Sequence, residues 1–492
     1  MKSFSYLCIR ELRFALDSIF LHLKKQKFRN LVFFSYLCSL YFFVKINAKI
    51  TMNTIKARLI YPKWNKLPGQ TTFTLPPHGA VVFAATLPEY VDVKFTDENV
   101  EEIDFDEDVE IVYISMMLST QVKRGWAIAD KFRARGVTVM FGGISTMLHA
   151  EETIPHADSV FLGEAEGRQE AILEDWRNGK LKKVYNYMGK MPDIATVGPA
   201  RRDLYKRELY NHKGVQMVDL FHASRGCRFS CYPCAVSYLG GRCFRPRPID
   251  KTIADLESID NNRLFIVDNS LAQDKQWELD LFREMIPLKK KWISHTIEDD
   301  PQVLDLAAQA GAWYVYQAVY DTSDYIKERV KRYHDHGIGV EGTILLGLDN
   351  QTEDDIKRLI DFLLNIDLDL AEFTVLAPFP HTKAYDDLMR QGRIFDHDWD
   401  HYNAGQVVYH PKHMSAERLQ ELYNYAWESF YHDETQEEKM FKLFTQVMLR
   451  EMEDGTYRPR DRKLANKSFG RDVDRSKRNV NELKDNPLQI NK

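Results

Sequence analysis

Between Lys56 and Leu376 the chain repeats one pattern, a short apolar run followed by a stretch of helical periodicity, in two series. The first series predicts strands at Ala57–Tyr61, Val91–Phe95, Val109–Ile114, Val137–Phe141 and Ser159–Leu162, with helices at Val122–Arg135 and Glu166–Arg177. Such alternation folds as a parallel sheet covered by helices on both faces. Ligands of these sheets sit beyond the carboxyl ends of the strands. Those ends carry Ser115-Met116-Met117, Gly142-Gly143-Ile144-Ser145 and Gly163-Glu164.

The polar stretch Tyr185–Gly214 reads as a linker, with Gly189, Pro192, Gly198 and Pro199 breaking any regular element. The second series then predicts strands at Met217–His222, Arg263–Val267, Trp292–Ile297, Trp313–Val319, Gly339–Leu346 and Ala371–Leu376. Helices separate them at Thr252–Ile259, Gln276–Ile286, Pro301–Ala310, Thr322–His336 and Thr352–Asn365. Six β/α units suggest an open, partial barrel whose chemistry lies at the C-terminal ends of its strands. The expected fold class is α/β: an N-terminal Rossmann-like doubly wound sheet, a partial (β/α)6 TIM-type barrel, and a helical C-terminal region. The expected divisions are 1–51, an apolar extension; 52–185, the first sheet; 186–214, the linker; 215–385, the barrel; 386–453, helical and aromatic; and 454–492, charged and disordered.

Six cysteines are too few and too local for a disulfide framework, since four fall within Cys227–Cys243. The other two, Cys8 and Cys38, lie in the extension. A net charge of −5 with no basic stripe gives no reason to expect nucleic acid. Within the extension, residues 31–44 (LVFFSYLCSLYFFV) are strongly apolar but shorter than the ~20 residues that span a bilayer. Three readings stand: a membrane-surface anchor, a spanning segment lengthened by its neighbours, or untranslated sequence ahead of a start at Met52. The expected location is cytoplasmic, with membrane association through 31–44 under the first two.

Directly after the first barrel strand, RGCRFSCYPC places Cys227, Cys231 and Cys234 in a C-x3-C-x2-C array. Three thiolates on one tight loop can ligate three irons of a 4Fe–4S cluster and leave the fourth open to a small molecule. Zinc is the rival, with Cys243 or His222 as fourth ligand; inert buried thiols are the third option. Arg242, Arg245 and Arg247 suit an anionic group or a solvated basic turn. Cys243 reads as a spare thiol, and His149 and His156 as surface residues.

The segment resembles the radical S-adenosylmethionine superfamily. The span from about Lys56 to Tyr431 is similar to its subclass with an N-terminal cobalamin-binding domain, through FIVDNSLAQD, GIGVEGTILLGLDNQTEDD, FTVLAPFPHTKAY, GRIFDHDWDHYN, VYISMML, VMFGGIS and FLGEAEG. The resemblance implies that Cys227, Cys231 and Cys234 hold the cluster. It implies S-adenosylmethionine contacts at Tyr232, Asp268, Asn269, Gln317, Gly342, Thr343, Gly347 and Pro378. Ser115, Met116, Gly142, Gly143, Gly163 and Glu164 would line a cobalamin.

Three departures stand out. Pro233 occupies the usual aromatic position before the third cysteine, Gln317-Ala318-Val319-Tyr320 lacks the family's fourth-strand glutamate, and His381 replaces a glycine. No Asp-x-His-x-x-Gly motif offers a histidine to cobalt. The implied activity is methyl transfer to an unactivated carbon of a bulky apolar small molecule, with an electron donor such as flavodoxin or ferredoxin. A non-methylating radical oxidoreductase or cyclase, and a non-catalytic iron–sulfur or zinc module, are the alternatives.

Overall fold

The computed structural model describes residues 54–64, 74–212 and 214–465. The first sheet has six parallel strands: β1 (Ile55–Tyr61), β2 (Val91–Asp97), β3 (Ile111–Ser115), β4 (Thr138–Gly142), β5 (Ser159–Leu162) and β6 (Val184–Asn186), in the order β2-β1-β3-β4-β5-β6. β1 lies between β2 and β3, so the strand order reverses there, as in doubly wound sheets. Helices α1 (His78–Ala84), α2 (Val122–Ala134) and α3 (Gln169–Arg177) connect the strands. Side chains on opposite faces of the sheet fall into separate cores: Ile60, Val112 and Ile114 join one, while Leu59, Ile111 and Tyr113 join the other. Both faces are thus covered, and the central strands β3 (IVYIS) and β4 (TVMFG) read as near-continuous apolar runs.

The second sheet is also six-stranded and parallel. Its strands are β7 (Asp219–Phe221), β8 (Arg263–Ile266), β9 (Lys291–Ser294), β10 (Ala312–Ala318), β11 (Gly339–Leu346) and β12 (Leu370–Val375), paired in sequence order. Between them run α4 (Ile249–Ser258), α5 (Lys275–Met285), α6 (Pro301–Gln309), α7 (Asp324–Asp335) and α8 (Glu353–Asn365). The α/β fold class read from the sequence therefore holds. α8 shows why the local sequence suffices: Thr352 and Asp355 close a capping box, and Ile356, Leu359, Ile360 and Leu363 form one buried stripe.

Strand alternation sorts the barrel residues into two layers. Phe221, Ile266, Trp292, Val315, Ile344 and Phe373 pack outward against the helices. Leu220, Phe265, Ile293, Tyr314, Tyr316 and Leu370 belong to the inner core.

After α9 (Lys383–Arg390) the aromatic stretch is less helical than its composition suggests. Ile394 bridges Tyr409, and regular helix begins at α10 (Ala416–Phe430), followed by α11 (Gln436–Glu453). α11 closes the N-terminal end of the barrel. Leu443 and Val447 join the inner core, the Trp313 indole N–H donates to the Leu443 carbonyl (2.9 Å), and Arg263 pairs with the fully buried Glu451 (2.6 Å). Beyond it, Arg458 pairs with Asp260 at 2.8 Å; residues 466–492 lie outside the described residues.

The expectation of membrane association is corrected. Among the described residues no helix is long and apolar enough to cross a membrane. The segment 31–44 that suggested it, and the choice between Met1 and Met52, lie outside the described residues.

Candidate functional site

The cysteine loop starts at the C-terminal end of β7. Ser224–Arg225 pairs antiparallel with Arg245–Pro246, pinching residues 226–244 into a closed loop. Gly226 makes the pinch feasible: its φ is +81°, and a Cβ there would overlap the Cys243 carbonyl oxygen. Cys227 is buried, whereas Cys231 and Cys234 are exposed. Burial pushes the Cys234 thiol up, and the Cys231 and Cys227 sulfurs add to that, so the three are electrostatic neighbours.

Among the described residues no group of three or more His, Cys, Asp or Glu side chains is drawn together as the ligands of a metal ion. Of the two fourth ligands that zinc would need, Cys243 is turned to other partners, and His222 keeps Nε2 free. Cys243 lies against the Met191 sulfur and the Gly240 carbonyl, each at 3.5 Å, and His222 is paired with His78. Three thiols on one loop match in number the three cysteine-held corners of a 4Fe–4S cluster.

Two buried side chains hold this loop. Asp268, 2% exposed at the end of β8, accepts from the Ala223 amide (2.8 Å) and the Ser224 hydroxyl. Burial pushes its carboxyl up to about 7 despite those hydrogen bonds. Both oxygens are committed to the loop, so Asp268 is a positioning residue here rather than a free ligand. Gln273 was not singled out from the sequence. Its Oε1 accepts from the Arg228 amide (2.8 Å), its carbonyl accepts from the Arg228 guanidinium (2.7 Å), and its Nε2 lies 3.5 Å from the Cys227 sulfur. An amide three places after Ser270 in the β8–α5 connection was the available signal.

The loop is tied to the first sheet by charge. Arg225 pairs with Glu164 and Glu166, each at 2.7 Å, and Arg245 pairs with Glu164. Although burial pulls the other way, Arg245 and Arg225 hold the Glu164 carboxyl below its ordinary value. Arg247 is buried on Asp255 (2.9 Å) and the His222 carbonyl (3.0 Å); only Arg242 of the three loop arginines is exposed. His78 and His222 share a 2.8 Å hydrogen bond, leaving His78 Nδ1 and His222 Nε2 without partners. Burial and the surrounding arginines push both imidazoles well below their ordinary value, so the pair is neutral.

The other positions divide. Tyr232 and Asn269 are exposed at the rim. Gln317 faces the helix layer, where its amide donates to the Tyr333 hydroxyl at 2.6 Å, and not the lumen. Gly342 also faces outward, against Leu368 and Val319, whereas Thr343 points inward by alternation. Gly347 is packed under Tyr409 and Leu419, and Pro378 is buried. His381 takes φ +64° and stacks on Tyr238 of the cysteine loop, with centroids 4.4 Å apart.

On the first sheet, Met116 and Gly143 interlock: the Met116 carbonyl accepts from Ser145 N (3.0 Å), and no side chain fits at Gly143. Gly142 has open space where a Cβ would lie, the buried Ser145 hydroxyl has no partner, and Met117 and Ile144 are exposed. Gly163 backs onto Tyr187, and Ser115 is half-buried at the end of β3. An apolar, glycine-lined rim with an unpaired hydroxyl fits a corrin face. His149 is corrected from a surface residue: it is 2% exposed, bonded to Ser119 (2.8 Å) and packed edge-on against Trp399. It is held by these contacts and is not presented to a ligand.

No family model matches the chain. It is 25% identical over 371 residues to a bacteriochlorophyllide d C-12(1)-methyltransferase of Chlorobaculum tepidum, covering 70% of this chain and 80% of that protein. Among solved structures, it superposes with TM-score 0.55 and 14% identity on the radical S-adenosylmethionine methyltransferase TsrM from Kitasatospora setae, with cobalamin and a 4Fe–4S cluster bound, covering 69% of this chain and 78% of that one. With TM-score 0.57 and 13% identity it also matches OxsB, a cobalamin-dependent S-adenosylmethionine radical enzyme, over 81% of this chain and 71% of that one. Two parallel sheets joined at their strand ends, with the cysteine loop between them, give this chain the fold shared by cobalamin-dependent radical S-adenosylmethionine enzymes.

Proposed function

We propose that the chain is a cobalamin-dependent radical S-adenosylmethionine enzyme that methylates an unactivated carbon of a bulky small molecule. The observation that carries this is the cysteine loop, held between two sheets by Arg225 and Arg245 on Glu164 and Glu166. Cys227, Cys231 and Cys234 would hold the 4Fe–4S cluster, and the rim of Ser115, Met116, Gly142, Gly143, Gly163 and Glu164 would hold cobalamin. When bound, these groups supply reductive cleavage of S-adenosylmethionine and a transferable methyl group.

The chain's own residues position and enclose. Asp268 and Gln273 fix both ends of the Cys227 turn. The Glu164 and Glu166 carboxylates keep Arg225 and Arg245 turned to the first sheet, so the two cofactor sites share one boundary. Tyr232 and Asn269, exposed at the rim, and the inward-facing Thr343 would meet S-adenosylmethionine. The C-12(1)-methyltransferase of the bacteriochlorophyllide relative favours methyl transfer over oxidation or cyclisation.

Anaerobic purification with cobalamin supplied, followed by iron, sulfide and corrin quantification, tests the cofactors. S-adenosylhomocysteine with a methylene added to product supports methylation. 5′-Deoxyadenosine without it supports the non-methylating alternative. A Cys231→Ala protein that keeps its iron and full activity refutes the cluster assignment.

A further inference from the structure

The barrel interior carries polar groups that the reading above does not use. On β11 and β12, Glu341 and Glu372 are diagonal neighbours: Glu341 pairs with Leu370 and Thr343 with Glu372. Their chain neighbours Val340, Ala371 and Phe373 belong to the outer core. Leu370 and Tyr316, in register with Glu341, belong to the inner core. Alternation therefore directs both glutamates into the lumen. Glu341 is 4% exposed, and its Oε2 has no hydrogen-bond partner. No lysine, arginine or histidine among the described residues forms an ion pair with either carboxylate. The lumen's basic residues, Arg263 and Lys291, are spent at its closed end on Glu451 and Asp454.

Beside the carboxylates runs an aromatic wall, which starts at Tyr316 in register with Glu341. Phe265 stacks on Tyr316 at 5.6 Å, His295 lies 5.4 Å from Phe265 and 5.6 Å from Tyr316, and Tyr314 lies 5.8 Å from Tyr316. His295 also reaches the Asp268 carbonyl (2.6 Å), so this wall ends directly beneath the anchor of the cysteine loop. Glu372, Tyr316, His295 and Thr343 are half-buried, so the upper layer is open toward the mouth while Glu341 lies at depth.

A buried carboxylate with an unpaired oxygen is costly unless something satisfies it. Burial, and then the neighbouring Glu372, pushes the Glu341 carboxyl up to about 8, against a hydrogen bond to Tyr316 that lowers it. Aromatic faces with carboxylates attract cationic nitrogen in particular. We propose that Glu341 and Glu372 form a subsite that takes a protonated amine or comparable nitrogen donor of an otherwise apolar organic substrate, with Phe265, His295 and Tyr316 against its carbon skeleton. This refines the proposed function by naming the substrate's polar handle, and it rests on that reading only for calling the ligand a substrate.

The test uses the full-length protein and benzylammonium as probe, with benzyl alcohol and benzoate as controls, measured at pH 7.5 by titration calorimetry and ligand-observed NMR. Benzylammonium is expected to bind at least about tenfold more tightly than benzyl alcohol, with benzoate weakest. Glu341→Gln and Glu372→Gln should each weaken benzylammonium about tenfold and leave benzyl alcohol unchanged. Equal binding of the three probes, or unchanged benzylammonium affinity in both variants, overturns the subsite. If Glu341→Gln does not fold, as read by its thermal melt, Glu372→Gln decides alone, because that residue is half-buried. S-adenosylmethionine also carries an ammonium group. Benzylammonium binding that persists with it present supports a substrate nitrogen. Displacement, together with weakened S-adenosylmethionine binding in both variants, overturns that assignment. None of these readouts needs turnover, so failure of the radical chemistry and failure of the subsite are separable.

Discussion

Arg225→Gln should loosen the cysteine loop by about 3–4 kcal/mol. The Arg225 side chain is 18% exposed and its partners Glu164 and Glu166 are 21% and 8% exposed, so both contacts are largely shielded from solvent. A charge-assisted hydrogen bond contributes about 1.5–3 kcal/mol, and removing one partner of a buried pair costs about 3–5. The two legs are unequal. Glu164 keeps Arg245, so losing Arg225 there costs roughly 1 kcal/mol. Glu166 already has one oxygen without a partner and is left as an unpaired buried charge, which costs roughly 3 kcal/mol. Hydrogen exchange over residues 222–247 reads the local opening free energy, which a global melt of a two-sheet protein would blur. Glu166→Gln in the same chain should restore about 2 kcal/mol by removing the stranded charge. Arg225→Lys should fall between, since one ammonium cannot reach both carboxylates in a planar fork. Loop protection in Arg225→Gln within about 0.5 kcal/mol of the parent, or strict additivity with Glu166→Gln, would show that the clamp carries no coupling.

Gly226→Ala forces a side chain into the Cys243 carbonyl at positive φ, so iron bound per chain after anaerobic reconstitution should drop severalfold while far-UV circular dichroism stays unchanged. Glu278 is fully buried on α5, and burial pushes its carboxyl up to about 8. A carboxyl raised above its unfolded value stabilises below about pH 4.5, and that contribution is lost as pH rises through about 8. Glu278→Gln should therefore melt higher than the parent at pH 8.5, with the gap closing by pH 5; a gap independent of pH would contradict the assignment. His381→Ala should be less stable than His381→Gly by about 1 kcal/mol, because both lose the Tyr238 stack and only alanine keeps the left-handed strain. Urea midpoints of the two variants decide this.

Strand positions were legible because both faces of each sheet are covered, which turns strands such as Ile111–Ser115 into near-continuous apolar runs. The same property hid which face each residue takes. Gln317 was expected at the rim, yet it faces the helices. A register irregularity between β9 and β10 at Trp292/Ile293 helps set that phase, and no periodicity reports it. β6 is three residues inside a polar stretch, and α1 is a seven-residue apolar segment behind two prolines; both are too short for periodicity to show. The cysteine loop was readable from spacing alone. Its anchors were not, because Asp268, Gln273, Glu164 and Glu166 reach it across 44 to 81 residues of chain, the two glutamates from another sheet. Glu341 and Glu372 did leave a trace, as lone carboxylates inside otherwise apolar strands.

The seal that α11 places on the N-terminal end of the barrel has a kinetic consequence. Among the described residues, Arg263 locked on Glu451 and Trp313 on the Leu443 carbonyl close the N-terminal end of the lumen, and the cysteine loop borders its other end. Traffic through such a vestibule is first in, last out. A molecule seated beside Glu341 must arrive before anything that covers the loop, and it departs only after that cover has gone. Steady-state inhibition patterns should accordingly show a compulsory order, with the lumen ligand leading and its product trailing.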